Sequence, residues 1–193
     1  MARLKWDVSG ERLYEMGCSN GVFYPFDTAG GKYGDGVAWN GLTGFTPSPS
    51  GADETKLWAD DIKYASLRAA EDFGYTLEAY MYPPEFGESD GSAEVADGIY
   101  IGQQERKPFG FSCKTKIGSD LNPNAGYKIH IVWNSTASPS EKSYTTMNDN
   151  PDAITFSWEC TTNPVAVTGH KPTAYMTVDS TKVTPENLKK LED

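Results

Sequence analysis

Strict alternation of apolar and polar side chains recurs along this chain. It constrains the fold more than any other feature, because only a β-strand turns a two-residue period into one buried and one solvated face. Ile154, Phe156, Trp158 and Cys160 alternate with Thr155, Ser157 and Glu159. Tyr127, Ile129, Ile131 and Trp133 stand against Lys128 and His130, and Phe109, Phe111, Cys113 and Ile117 against Ser112, Lys114 and Lys116. Tyr75, Leu77, Ala79 and Met81 oppose Thr76 and Glu78, while Ala174, Met176 and Val178 supply a further strand. Aromatic and β-branched residues fill these segments, and Gly, Pro and Asn separate them. The pattern predicts a mainly β fold, an antiparallel β-sandwich of two packed layers. In that register Trp133 and Trp158 point into the core, whereas alternation assigns no face to Trp39 or Trp58.

Shorter signals place the remaining elements. Tyr14 to Met16 and Val22 to Phe26 flank Cys18, Ser19, Asn20 and Gly21, and the Asn-Gly pair suits the positive φ angles of a tight hairpin turn. Leu57 to Gly74 has helical propensity as far as Phe73, but the alternation of Trp58, Asp60, Ile62 and Tyr64 favours an extended start. One short helix or turn is expected between Pro83 and Ala96, where the prolines start a helix and Gly87 and Gly91 weaken its continuation. A second is marked by Thr184 as cap, Pro185 in the first turn, Glu186 early, and Lys189 and Lys190 near the end. Thr43 to Thr55 holds Pro47, Ser48, Pro49, Ser50 and Gly51, a composition that excludes a central strand and predicts an exposed arm. Asn134 to Pro151 is a second long polar loop within the single domain expected over 1–193.

Composition narrows function. With 27 Asp and Glu against 17 Lys and Arg, the net charge is −10. The average surface field therefore repels phosphate and offers no counterion-release drive for gripping DNA. Arg3, Lys5, Asp7, Glu11 and Arg12 interrupt the N-terminal stretch, which lacks the apolar run of a signal peptide. No later segment is apolar enough for a bilayer helix, so the chain is expected to stay in the cytoplasm until it assembles. Cys18, Cys113 and Cys160 are widely spaced with no CxxC pair, which predicts reduced structural thiols.

No constellation of residues points to catalysis. His130 and His170 lie apart and in no metal-binding spacing, so His130 is expected on the polar face of a strand and His170 in a turn. GGKYGDG, from Gly30 to Gly36, lacks the strand-then-helix frame of a phosphate loop and reads as a flexible turn. Asp60 with Asp61 and Glu71 with Asp72 are adjacent carboxylates, which on a strand diverge. Asn148, Asn150, Asp152 and Glu159 match a calcium loop in part, but Ala153 replaces its glycine. A strand from Ile154 would also carry Glu159 roughly 20 Å beyond Asp152. No metal and no cofactor is expected, and the acids are read as solvated surface carboxylates.

Two long runs, ADDIKYASLRAAEDFGYTLEAYMYPPEF from Ala59 to Phe86 and SEKSYTTMNDNPDAITFSWECTTNPVAV from Ser140 to Val167, resemble the major tail protein of long-tailed bacteriophages and related prophages. The likeness extends through YEMGCSNGVFYPF, GVAWNGLTGFTPSPSGADETKLWADDIKY, GIYIGQQERKPFGFSCKTKIGSD and GHKPTAYMTVDSTKV. It implies a structural, non-enzymatic subunit of a tail tube. Such a subunit is a β-sandwich with a flanking helix that forms homohexameric rings, stacked through loops and arms around a β-barrel lumen. Its partners would be further copies of itself, other tail proteins, and double-stranded DNA that passes through without specific binding. It would reside in the virion tail after assembly in the host cytoplasm, without membrane contact. The resemblance also supports the extended reading of Leu57 to Gly74. Candidate lumen-facing acids are Asp60, Asp61, Glu71, Asp72, Glu78 and Glu159, and the candidate inter-ring loop is Pro47, Ser48, Pro49, Ser50 and Gly51. The alternative from the residues alone is a carbohydrate-binding sandwich that displays its tryptophans on a phage or cell surface.

Overall fold

The computed structural model describes residues 4–147, 149 and 152–192. In chain order the strands are β1 (Leu13–Asp27), β2 (Lys32–Tyr33), β3 (Val37–Trp39), β4 (Leu42–Pro47), β5 (Ser50–Gly51), β6 (Glu54–Ala59), β7 (Ile62–Arg68), β8 (Glu71–Asp72) and β9 (Gly74–Ala79). A 3₁₀ turn over Pro84–Glu88 follows, then β10 (Ala93–Ala96), β11 (Ile99–Ile101), β12 (Phe109–Ser119), β13 (Gly126–Ala137), β14 (Phe156–Thr162), β15 (Tyr175–Asp179) and helix α1 (Pro185–Glu192). Over the described residues the fold is mainly β, an antiparallel sandwich with one short α-helix and no closed barrel.

The main sheet runs β2-β1-β12-β13-β14-β9-β4, with β3 added to β1 and β15 to β13. Strand β13 has two successive neighbours on one side. From Lys128↔Asp179 to Val132↔Tyr175 it pairs with β15, and from Ser135↔Thr162 to Ala137↔Cys160 with β14. Between them Asn134 has a φ of 52° and the register with β12 slips, a bulge of the kind that carries a strand from one layer into the next. The layers meet through aromatic rings. Phe111 of β12 lies 5.9 Å from Phe45 of β4 and 6.4 Å from Tyr75 of β9, centroid to centroid. Phe86 of the 3₁₀ turn closes one end, 4.7 Å from Trp39, 5.3 Å from Trp158 and 5.5 Å from Phe23.

Much of the alternation is realised: Phe109, Phe111, Cys113 and Ile117 are buried, as are Tyr75, Leu77, Ala79, Trp158 and Cys160. Met81, beyond the end of β9, is exposed. The 3₁₀ turn and α1 fall where the capping residues place them.

Two expectations are corrected. The predicted hairpin at Cys18 to Gly21 is absent, and β1 runs through it as one strand paired on both sides of the site with β12. Positive φ occurs singly, at Gly17 (70°) and Asn20 (54°). An Asn-Gly reversal needs it at two successive residues, so the chain kinks at bulges and continues. In β13 the predicted face is inverted. Val132 and the polar-set residue His130 point inward, while Trp133 lies partly buried on the other face and donates from Nε1 to Thr173 O at 3.1 Å. Both faces of this strand are covered, since Ile129 is buried opposite Val178, so alternation carries no sign of which face meets the sandwich interior.

The loops are more ordered than their composition suggests. Asn134 to Ala137 belongs to β13, and 138–147 runs back along the core edge. There Ser138 N donates to Glu159 O at 2.7 Å, and the Lys142 ammonium sits 5.0 Å from the Tyr82 ring centre. The calcium-loop positions Asn148 and Asn150 lie outside the described residues. Among those described, no group of three or more His, Cys, Asp or Glu is placed to hold a metal ion. No helix among them is long and apolar enough to cross a membrane.

Candidate assembly surface

Strands β4 and β9 continue past the edge of the sandwich. Ser48 N donates to Gly74 O (2.7 Å), β5 pairs with β8, Ala52 N donates to Ala70 O (3.2 Å), Ala69 N to Asp53 O (3.3 Å), and β6 pairs with β7. The result is one continuous two-stranded ribbon that leaves the body at the Pro47↔Tyr75 pair. It reverses at Asp60 and Asp61, whose φ angles of 52° and 61° are those of a two-residue hairpin turn with a left-handed residue at both central positions. Aspartate visits that conformation more readily than most residues, because its short polar side chain is able to bond to the nearby backbone. The alternation expected to run through Trp58, Asp60, Ile62 and Tyr64 is therefore broken by the turn, although the extended conformation itself is present. At the base, Gly51 has a φ of 81° and a Cβ there would lie 2.8 Å from Ala70 O, so both the angle and the close approach of the strands require glycine.

Residues paired across antiparallel strands share a face. The pairs Thr55↔Leu67, Leu57↔Ala65 and Ala59↔Ile62 make one face of the β6–β7 ribbon, and Glu54↔Arg68, Lys56↔Ser66 and Trp58↔Lys63 the other, with Tyr64 as the unpaired bulge residue. The first face is almost wholly apolar and the second is charged, with Lys63 Nζ 2.6 Å from Glu54 Oε1. Lys63, then Ser66, holds the Glu54 carboxyl below its ordinary value by hydrogen bonding. Yet the apolar face is uncovered: Leu57 is 41% exposed, Ile62 62% and Leu67 57%, with the bulge residue Tyr64 at 73%, and Trp58 on the charged face is exposed as well. A two-stranded ribbon without a covering layer is marginal in water, and its segregated faces match a surface that another molecule completes.

The sequence-predicted residues fall at three places. Asp60 and Asp61 form the ribbon tip, about 20 Å beyond the start of β6 at Glu54. Glu71 and Asp72 sit at the base, paired with Gly51 and Ser50. Glu78 and Glu159 are exposed on the outward face of the β4-β9-β14 layer, where Glu78 pairs with Ser157 and Glu159 with Thr76. The structure brings Glu78 and Glu159 together as diagonal neighbours and leaves the tip acids apart. Of the predicted loop, Pro47 ends edge strand β4, Ser48 and Pro49 form the hinge, and Ser50 and Gly51 are the first rung of the ribbon. All five are exposed. Sequence reasoning missed the apolar face, because only the turn at Asp60 and Asp61 brings Leu57, Ile62 and Leu67 to the same side.

Two polar clusters lie inside the sandwich. Asp90 accepts from the buried Trp158 Nε1 at 3.1 Å, pairs with Lys142, and has Arg106 Nη1 at 3.8 Å, which ties the 138–147 segment to the 3₁₀ turn. At the other end the His130 ring bonds through Nδ1 to Tyr175 Oη (2.7 Å) and through Nε2 to Thr115 Oγ1 (3.0 Å). Glu15 Oε1 stands 3.4 Å from the same Nε2, and Glu15 pairs with Lys128. Burial holds the His130 pKa below its ordinary value, against the pull of Glu15. Both clusters are closed bonding networks. Trp39 is buried beside Trp158 at a ring separation of 5.5 Å, so neither contributes to an external aromatic platform. No family model matches the sequence, and no curated protein matches it.

Proposed function

We propose that this chain is a structural subunit of a phage tail tube, assembling through copies of itself into rings that stack around a channel for DNA. The observation that carries the reading is the β5–β8 and β6–β7 ribbon, which extends two strands of the sandwich into solvent with its apolar face uncovered. A self-assembling subunit completes such a face with a neighbouring copy, and a head-to-tail contact between unlike surfaces closes into a ring or propagates as a tube. The sandwich keeps open sheet edges at β2 and β4, which pairing with neighbours would also cover. The resemblance of the long runs around Ala59 to Phe86 and Ser140 to Val167 to major tail proteins supports the same reading. In the tube, the outward β4-β9-β14 face bearing Glu78 and Glu159 lines the channel, where carboxylates keep DNA phosphates hydrated and moving. The glycan-binding alternative loses Trp39 and Trp158 to the core, while Trp58 and Tyr64 on the ribbon and Trp6 near the N-terminus stay exposed. Negative-stain microscopy of the concentrated protein tests the proposal. Rings or tubes of uniform diameter are expected, and a monomer at every concentration, with or without tail extracts as nucleators, would refute it.

A further inference from the structure

The chain carries a second uncovered ribbon. Strands β10 and β11 form a sheet of their own, paired as Ala93↔Ile101, Glu94↔Tyr100 and Ala96↔Ile99, with Val95 as the bulge residue. Paired residues share a face, so Ala93, Ala96, Ile99 and Ile101 make one wholly apolar face and Glu94 and Tyr100 the other. Val95 and Ile99 are each 58% exposed and Ile101 43%. The construction repeats that of β6–β7, with one apolar face, one polar face and an exposed hydrophobe at a bulge. A lone hairpin of this kind is marginal in water. Both apolar faces stay exposed within one chain, so the two ribbons do not cover each other.

We propose that the apolar face of β10–β11 is the receptor for the β6–β7 ribbon of a second copy, with the two ribbons antiparallel, tip to root. This rests on the tube reading above and names the surface that its exposed ribbon meets. The lengths agree, since the apolar rungs run about 13 Å from Thr55 to Ala59 and about 10 Å from Ala93 to Ala96. The charges fix the direction. Tip-to-root alignment brings Asp60 and Asp61 to the root of β10–β11, where Gln104 N donates to Gly91 O (3.0 Å) and Arg106 and Lys142 line a cleft of about 440 Å³. Those two cations share one carboxylate, Asp90, which leaves a positive charge over. Glu105 and Glu141, next to them in sequence, do not line the cleft. At the opposite end Asp97, in the β10–β11 turn, comes level with the Thr55↔Leu67 rung, beside Lys56 and Arg68. Glu54, the register partner of Arg68, is bonded to Lys63 instead, so Arg68 keeps its charge for the neighbour. The reverse alignment sets Asp97 against Asp60 and Asp61, acid on acid. Pairing two β6–β7 ribbons with each other closes as a dimer and leaves β10–β11 bare, whereas contact between unlike ribbons repeats from copy to copy and builds a ring or a tube.

The pairing is tested on the full chain by light scattering across a concentration series, with the melting temperature as the control on the monomer. Ile99→Ser with Ile101→Ser should raise the assembly threshold roughly 30-fold, since about half of each side chain remains to be covered, and should leave the melting temperature unchanged. Arg68→Glu and Asp97→Arg should each raise the threshold. The two together in one chain should bring it back toward the wild-type value, because the reversed charges meet between one copy and the next. A rise that the double reversal does not relieve, single reversals that assemble like wild type, or an Ile99 and Ile101 variant with the wild-type threshold or a much lower melting temperature overturns the ribbon pairing and leaves the tube reading standing. A wild type that stays monomeric at every concentration overturns both.

Discussion

Replacing Leu57, Ile62 and Leu67 together by serine tests whether the ribbon face is an assembly surface. Complete burial of a Leu or Ile side chain is worth about 1.5–3 kcal/mol. These side chains are 41, 62 and 57% exposed, so covering their remaining surface is worth roughly half of that each, about 3 kcal/mol together. Per contact this is about a 150-fold change in association constant. The isolated subunit should be nearly indifferent, because substitutions at exposed positions shift stability by about 0.5 kcal/mol or less, and serine leaves the β6–β7 backbone ladder intact. Light scattering and sedimentation velocity across a concentration series locate the threshold for assembly, and thermal unfolding below threshold reports on the monomer. The threshold is expected to rise by about two orders of magnitude at an unchanged melting temperature. Tubes at the wild-type threshold would show that the face is not used. A large fall in monomer stability would show that the sandwich itself already covers it.

Further expectations concern the hinge, the two polar clusters and the channel. Deleting Pro47 to Gly51 removes the end of β4 and the first rung of the ribbon, so the body should fold with an altered edge and assembly should fail; normal tubes by microscopy would contradict this. Asp90→Ala strands Lys142, Arg106 and the Trp158 Nε1–H, and loss of a partner from such a buried network costs about 3 kcal/mol. A melting temperature lowered by about 10 °C is expected by calorimetry, and a shift within error would refute the role. Because burial depresses the His130 pKa from 6.5, the unfolded chain takes up that proton first, so stability is full above the unfolded value and falls as pH drops through 6.5 toward the folded value. Glu15, held down first by its hydrogen bond from Lys128 and then by Thr115, contributes its loss further into acid, below 4.5. Urea unfolding between about pH 7.5 and pH 5.5 should show the His130 slope, and His130→Gln should flatten it; an unchanged slope would assign it elsewhere. Glu78→Lys with Glu159→Lys should preserve tubes while slowing DNA passage most at low salt, where screening is weakest; salt-independent passage would remove these acids from the channel wall.

The fold class was legible because a two-residue period is a property of the strand itself. Phe109, Phe111 and Cys113 or Tyr75, Leu77 and Ala79 declare a face whatever packs against it, and Thr184-Pro185-Glu186 declares a helix start from local bonding alone. Local chemistry did not reveal which of two faces is interior when both are covered, and β13 turned His130 and Val132 inward in place of Ile131 and Trp133. Nor did it reveal whether a left-handed residue reverses the chain or only kinks it. Asn20 kinks β1 because β12 pairs with both sides of it, whereas Asp60 and Asp61 reverse a ribbon with nothing beyond them. The candidate surface has the same origin. Sequence supplied the Pro- and Gly-rich hinge and the acids, but the apolar face exists only after the turn at Asp60 and Asp61 lays Ile62 beside Ala59 and Leu67 beside Thr55. Pairing register is a long-range property, fixed by what each strand buries against its neighbours, and it belongs to the tertiary structure alone.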